Sequence, residues 1–477
     1  MGTKFILGQE DGTNAGGNAR GDSAVDLQTS RGASTQVASG NYAVISGGQN
    51  NTATGGQSFI GGGFQNSTTD SLATTVGGRQ NTAGYASFMG GGQSNNASAF
   101  WGVCVGGQRN TSIGYGFVGG GLDNSITTGG YSNIVGGELN VVNTGAGTNA
   151  YSVISGGRSN SITSAYSTIS GGQSNTASTN SHATVVGGQG NVSSGRYSIT
   201  GGQNCTAIAF GAVAFGINSN ANTYSMAAGY FANASGTHSF AFGQTATASG
   251  GQCFATGTGV QASGTSSVAM GYYTYSSGEA AISLGTNNRA SGKASIAVGN
   301  NAAASLLGQF SVSSGTAIYN GAHVYSIMAI PLATAAVNSG GTYTFTLENG
   351  QLIIPENQIG DSVVPYQMLI TAKVVIGVRA KSASITTIGD NDIFMSTYNL
   401  GVRRRMGFAR TIIGAPQQVN TFSDASLSTT TVNFAIGASN ELLVSFTPPT
   451  WTGGGQIVFV ATLSLEMTMM GMHQASI

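Results

Sequence analysis

The chain has 477 residues, of which 77 are glycine and only 32 carry a formal charge. Sixteen basic side chains balance sixteen acidic ones, so the basic excess that marks a nucleic-acid-binding chain is missing. Disorder is excluded too: it pairs low hydrophobicity with high net charge, whereas 40% of these residues are hydrophobic and the net charge is zero.

The amino terminus, MGTKFILGQEDGTNAGG, has no apolar core of a secretory signal. Residues 1–40 read as an attachment segment ahead of the repeats. They contain Arg20-Gly21-Asp22, a known cell-adhesion tripeptide that local turn formation explains as well. No proline occurs before residue 331, and all six lie in the last third. A continuous β ladder excludes proline, which cannot donate to it, whereas a flexible glycine-rich linker has no reason to. Everything ahead of Pro331 therefore reads as hydrogen-bonded β structure.

From residue 44 an apolar pair, a glycine pair and an asparagine recur together, as in VISGGQNN, FIGGGFQN, CVGGQRN and IVGGELN. The asparagines are Asn51, Asn66, Asn81, Asn95, Asn110, Asn124, Asn140, Asn160, Asn175 and Asn191, with Cys205 in the eleventh place. Most steps are 14 to 16 residues; the longer step from 140 to 160 carries an insert, VVNTGAGTNA, expected to bulge out as a loop. After Cys205 the step settles at 14, with Gly229, Gly243, Gly257, Gly271, Gly285 and Gly299 in one series and Gly236 to Gly292 in a second. Apolar residues alternate before each glycine: Phe240 and Phe242, Val268 and Met270, Ile282 and Leu284, Ile296 and Val298. Alternation over four or five residues predicts a strand with one buried face.

A strand with two glycine corners in every repeat is one coil of a β-solenoid, with glycine supplying positive φ at the corners. Stacked coils lie about 4.8 Å apart, so about 18 of them predict a rod roughly 85 Å long. Like charges stacked at that spacing repel by about 1 kcal/mol even in water. Only ten charged residues lie between 40 and 300. Asparagine can instead hydrogen-bond to its own copy in the next coil, so the Asn row reads as structural. A coil this small cannot enclose a core of large side chains, and three chains around an axis would supply the missing partners.

Residues 212–299 resemble the head repeats of trimeric autotransporter adhesins. Ser239-Phe-Ala-Phe-Gly243, Ser267-Val-Ala-Met-Gly271 and Ser295-Ile-Ala-Val-Gly299 carry the S-x-A-x-G pattern. The GGxxN series at 44–205, with its lead-in at 17–40, resembles the shafts of bacteriophage tail fibres. The resemblance implies an all-β fold: a trimeric, left-handed β-roll or β-solenoid shaft of 14–15-residue coils over 41–305, divided into 41–205 and 206–305. With no leader and no membrane anchor legible, the phage reading is expected over the adhesin one: a virion protein assembled in host cytoplasm, neither secreted through a signal peptide nor transmembrane.

Beyond about 310 the period vanishes while proline and charge return. Tyr343, Phe345 and Leu347 alternate, as do Ala372 to Val378, Val432 to Ile436, Leu442 to Phe446 and Ile457 to Met469. With turns at Asn349-Gly350, Pro448-Pro449 and Gly453-Gly454-Gly455, residues 310–477 predict a β-sandwich knob of about eight strands, serving as a receptor-binding tip. Candidate receptor contacts are Arg403, Arg404 and Arg405, suited to the phosphates or carboxylates of a glycan, and Trp451, suited to sugar stacking. Each has a structural alternative, a solvated edge or subunit packing. Asp390-Asn391-Asp392 reads as a turn and not a calcium loop.

His182, His238, His323 and His473 lack ligand spacing, and the three cysteines form no CxxC pair, so neither metal nor cofactor is expected. Asp70, Asp123, Glu138 and Glu279 are the only acids between 40 and 300, and none has a carboxylate neighbour in sequence. Paired carboxylates for glycan cleavage are therefore missing, and the chain is read as a non-enzyme. The expected function is a homotrimeric phage tail fibre. It would bind tail or baseplate proteins through its amino-terminal segment and a host-surface glycan or outer-membrane receptor through its tip. A glycan-cleaving tail spike, a bacterial trimeric adhesin head and a capsid-attached fibre are the alternatives.

Overall fold

The computed structural model describes residues 5–6, 10–128, 130–145, 151–179 and 181–314, then segments 324–337, 343–345, 366–381, 393–404, 411–428, 430–436, 442–447 and 457–471. They form two compact units, 1–238 and 239–477. Both contain coils of a parallel β-solenoid, about 19 turns in all, with almost no helix. Among the described residues no helix is long and apolar enough to cross a membrane.

In the first unit most coils hold two short strands, such as Val103–Cys104 and Thr111–Ser112, and the first strand lengthens to five or six residues from Thr184–Gln189 onward. Each pairs in parallel with its equivalent in the next coil: Val103 with Phe117, Cys104 with Val118, Thr111 with Ser125. A third row of isolated bridges runs through Gln93, Gln108, Leu122 and Glu138, between the glycine pair and the asparagine. The stack begins before the first glycine-pair repeat. Val25–Asp26 pairs with Val44–Ile45, and Phe5–Ile6 with Val25–Asp26, so part of the segment read as separate already belongs to the coils. The long step starts with a strand and not a loop: Val141 and Val142 pair with Ser161 and Ile162, and Glu138 bridges Arg158.

The glycines play two roles, one expected and one not. Gly107 does lie at φ +83°, and a Cβ there would collide with the Gly121 carbonyl oxygen. Gly264 does not have positive φ; it is needed because a Cβ would strike the Gly278 carbonyl in the next coil. Many left-handed corners are instead filled by other residues, among them Gln80, Arg109, Asp123 and Leu139 at φ 54–58°. Hydrogen-bonded stacking on both sides holds them in a conformation that costs an L-residue roughly 1–2 kcal/mol.

The coil encloses its own core, contrary to the expectation that so short a repeat could not. Its inward positions carry Met89, Cys104, Val118, Ile134 and Ile154 from the first strand, and Ala97, Ile126 and Ile162 from the second, all fully buried. The second unit narrows this core to Ala241, Ala255, Ala269, Ser283 and Ala297 facing Ala248, Ala262 and Ala290. Its first strands are five residues long, as in Val268–Tyr272, which pairs in unbroken register with Ile282–Thr286.

After Phe310–Ser314 the pairing turns antiparallel against Val324–Val337. That strand pairs with Ile457–Gly471, which pairs with Tyr366–Lys381, then Ile393–Arg404 and Thr411–Ser423 follow in order. A separate sheet joins Tyr343–Phe345, Leu442–Thr447 and Thr431–Ile436. The two sheets meet where Tyr398 packs edge-on against Phe434, ring centres 5.1 Å apart. Pro416 lies where the register shifts between Asn399 and Gly401, so its missing donor breaks no ladder bond.

Candidate interaction surfaces

The Asn row is a buried internal ladder, and its chemistry differs in detail from amide-to-amide stacking. The Asn110 side chain accepts from the Asn124 backbone N–H through Oδ1 at 2.9 Å. Its Nδ2 donates to the carbonyls of Gly106 in its own coil and Gly121 in the next, each at 2.9 Å. One amide thus closes the glycine corner of two coils. Direct amide-to-amide bonds occur only at some steps, for example Asn110 to Asn95 at 3.2 Å.

Gln28 starts the ladder by accepting the Asn51 N–H. Cys205 continues it: its backbone N–H donates to Asn191 Oδ1, and its thiol donates to the Gly216 carbonyl at 3.2 Å. Asn288, which sequence reasoning missed, repeats the full pattern toward Leu284, Gly299 and Ala302. Its spacing from Gly285 was the signal that could have found it. A ladder this buried is closed to ligands.

Outside the core, the alternation is reversed from the sequence expectation. Ala241 is fully buried while Phe240 is 42% exposed. Val268, Met270, Ile282, Leu284, Ile296 and Val298 likewise sit on the outward side of their strands, half-buried or exposed. The same holds in the first unit for Phe59, Phe88, Val105, Phe117 and Val135, all exposed. Large apolar side chains thus form an outward face in each unit, uncovered in the single chain.

One corner of the first unit adds an aromatic column. It runs from Trp101 through Tyr115, Tyr131, Tyr151, Tyr166, His182, Tyr197, Phe210 and Tyr224 to His238. From Tyr115 to His182 the ring centres are 4.7–5.6 Å apart with planes within 29° of parallel. His182 and His238 are therefore members of an aromatic stack.

Charges are arranged as opposite pairs on successive coils. Arg109 forms a two-bonded fork with Asp123, both bonds 2.6 Å, which holds the Asp123 carboxyl below its usual range and the Arg109 guanidinium above its own. Lys293 reaches Glu279 at 2.9 Å and Arg158 reaches Glu138 at 3.7 Å. Arg20 is buried, bonded to Asp26 at 2.9 Å and to the Gly16 and Asn18 carbonyls. The adhesion tripeptide therefore does not display its arginine.

All three thiols are buried and free, and burial raises each, Cys104 to about 11. Among the described residues no group of three or more His, Cys, Asp or Glu side chains could hold a metal. Arg403 and Arg404 end the Ile393–Arg404 strand, opposite Gln367 and Tyr366. Arg405, Trp451 and Asp390-Asn391-Asp392 lie outside the described residues.

Residues 222–259 and 262–316 match the family model described as the YadA head domain repeat, each stretch in overlapping windows. These windows include the S-x-A-x-G units. No curated protein matches the chain. Among solved structures, the tailspike protein of Acinetobacter baumannii phage AM24 aligns over 100% of this chain and 74% of its own, at 9% identity and a TM-score of 0.19. That score is too low to bear on fold or function.

Proposed function

We propose that the chain is a homotrimeric fibre protein of a phage tail, with the solenoid coils as shaft and residues 310–477 as a β-sandwich tip that recognises the host surface. The observation that carries this reading is the outward apolar face. Each coil fills its own interior, with Ile, Val and Met in much of the first unit and alanine and serine in the second, and still leaves Phe, Val, Ile and Met outside, where burying one gains about 1.5–3 kcal/mol. Three chains sharing those faces would form a fibre whose strand edges are protected. The YadA-type repeats at 222–259 and 262–316 support a trimeric, fibre-like assembly. The tail assignment rests on the resemblance of the GGxxN series to tail-fibre shafts. Several weak tip contacts on one trimer would raise avidity without any single strong one. The role proposed is binding and structural, without catalysis, metal or cofactor.

Light scattering on the purified chain tests the assembly: about 143 kDa, three times 47.7 kDa, is expected, and a 47.7 kDa monomer would overturn it. Adsorption assays test the role. The purified protein should compete with virions for host cells, and loss of residues 310–477 should abolish the competition. The adhesin-head reading keeps the support of the same repeat match and would be favoured if the protein is found anchored on a bacterial surface.

A further inference from the structure

We infer that the aromatic column of residues 101–238 is part of the contact between copies of this chain, extending the apolar face into a broader interface; this rests on the trimeric reading above. Side chains alternate along each first strand. Trp101, Val103 and Val105 point outward while Gly102 and Cys104 are buried, and the coil at Tyr115, Phe117 and Gly119 repeats the pattern. The corner ring and the strand face therefore lie on the same side, two residues apart. Two such steps make the ribbon about 13 Å wide, and ten rings rise nine coil spacings, roughly 43 Å. The ribbon covers roughly 550 Å², about two thirds of the roughly 800 Å² a subunit commits to a standard interface, so it adds to the apolar face and does not replace it; it is also at the upper end of what a monomer leaves exposed.

The column is not a requirement of the coil. In the second unit the equivalent corner holds Gln252, Ser266, Ala280 and Ala294 with the same left-handed backbone, φ 54–57°. Trp101, Tyr166, Tyr197 and Tyr224 sit at φ 51–63°, where bulky side chains are least favoured. Aromatic residues thus occupy positions where small ones serve the fold and strain the backbone less. Stacking recovers part of that cost but leaves the rings of Tyr115, Tyr131, Tyr151 and Tyr166 45–50% exposed.

The occupant that fits is a second copy of the chain. The ribbon carries no formal charge on Trp101, Tyr115, Tyr131, Tyr151 or Tyr166, and it continues without a break into the face that the trimer would bury. A sugar chain would need free ring faces, and here they are covered by the neighbouring rings. Tyrosine, apolar in body with a polar tip, suits the rim of such an interface.

The test is tyrosine nitration of the full-length protein, read by peptide mass spectrometry alongside its mass by light scattering. Tyr275 is the internal control: it is 40% exposed and lies on a second strand, on the back of the coil from the outward face. In a trimer, Tyr115, Tyr131, Tyr151 and Tyr166 should nitrate at least about tenfold more slowly than Tyr275, as expected where an interface excludes water. A trimer in which they nitrate as fast as Tyr275 overturns this inference and leaves the trimeric reading intact. A monomer overturns both. Protection that appears only when a neutral polysaccharide is added overturns the second-copy assignment in favour of a glycan ridge. The triple variant Tyr115→Ser/Tyr131→Ser/Tyr151→Ser should dissociate at lower urea than the parent, whereas an unchanged midpoint would count against the inference.

Discussion

Asn110 makes four polar contacts through one buried side chain, linking Asn124, Gly106, Gly121 and Asn95. Asn110→Ala leaves the Asn124 N–H without its acceptor and takes the amide donor from two carbonyls, of which Gly121 keeps the Gln108 N–H. A loss of about 2–4 kcal/mol is expected, at 1–3 kcal/mol for each buried group left unsatisfied with some relaxation. Urea unfolding of the purified variant checks it. Cys205 performs the same task less well, because sulfur is a weak donor and acceptor. The backbone N–H of Ser219 donates toward it, as Asn124 does toward Asn110. Cys205→Asn should therefore stabilise the fold by about 0.5–1.5 kcal/mol, read as a higher urea midpoint.

The Cys104 thiol gives a pH prediction. Burial raises its folded value to about 11, above the 8.5 or so of an exposed thiol. Stability from the neutral thiol is complete below the unfolded value and is lost as pH rises through the folded one. The melting temperature should thus fall between pH 9 and 11, and fall less in Cys104→Ala than in the parent protein. Equal slopes would mean that the thiol does not titrate with folding.

At the scale of the element, the coil is a two-sided object whose sides differ in volume. Ala269 faces Ala262 and its neighbours in a narrow interior, while Val268 and Met270 flank it on the outside. Ala269→Leu should destabilise by about 1–3 kcal/mol through overpacking, whereas Met270→Leu should be nearly neutral. Circular dichroism melts of the two variants decide between inward and outward. Charge follows the same geometry. Six of the ten charged residues between 40 and 300 form three opposite pairs on successive coils. These exposed pairs add little stability, but they show that stacking selects against like charges and not against charge itself.

At the scale of the whole molecule, the outward face should behave as an interface and not as a core. Val268→Asp with Leu284→Asp places charges on that face without touching the buried Ala269 or Ser283. The expected result is a fall in solution mass toward 47.7 kDa with β content retained. Unfolding in step with dissociation would mean that the coils cannot stand without their neighbours. The C-terminal strands were partly legible. Val432, Phe434, Val444 and Phe446 are buried as their alternation requires. Ile393–Arg404 and Thr411–Ser423 carry polar residues among their apolar ones and escaped notice.

The sequence by itself determined the period, the pairing rows and the Asn ladder. Each depends on what recurs from one repeat to the next, and a repeat in sequence becomes a repeat in space at a fixed coil spacing. It also marked the amino-terminal lead-in, without showing that Val25–Asp26 already joins the stack. Only the tertiary structure decided which side of each strand is inside. A period of two defines two faces and names neither as the core. The closeness of the two strands in one coil settles the matter: alanine and serine fit between them in the shorter, regular repeats of the second unit, and phenylalanine, isoleucine and methionine are turned outward for want of volume.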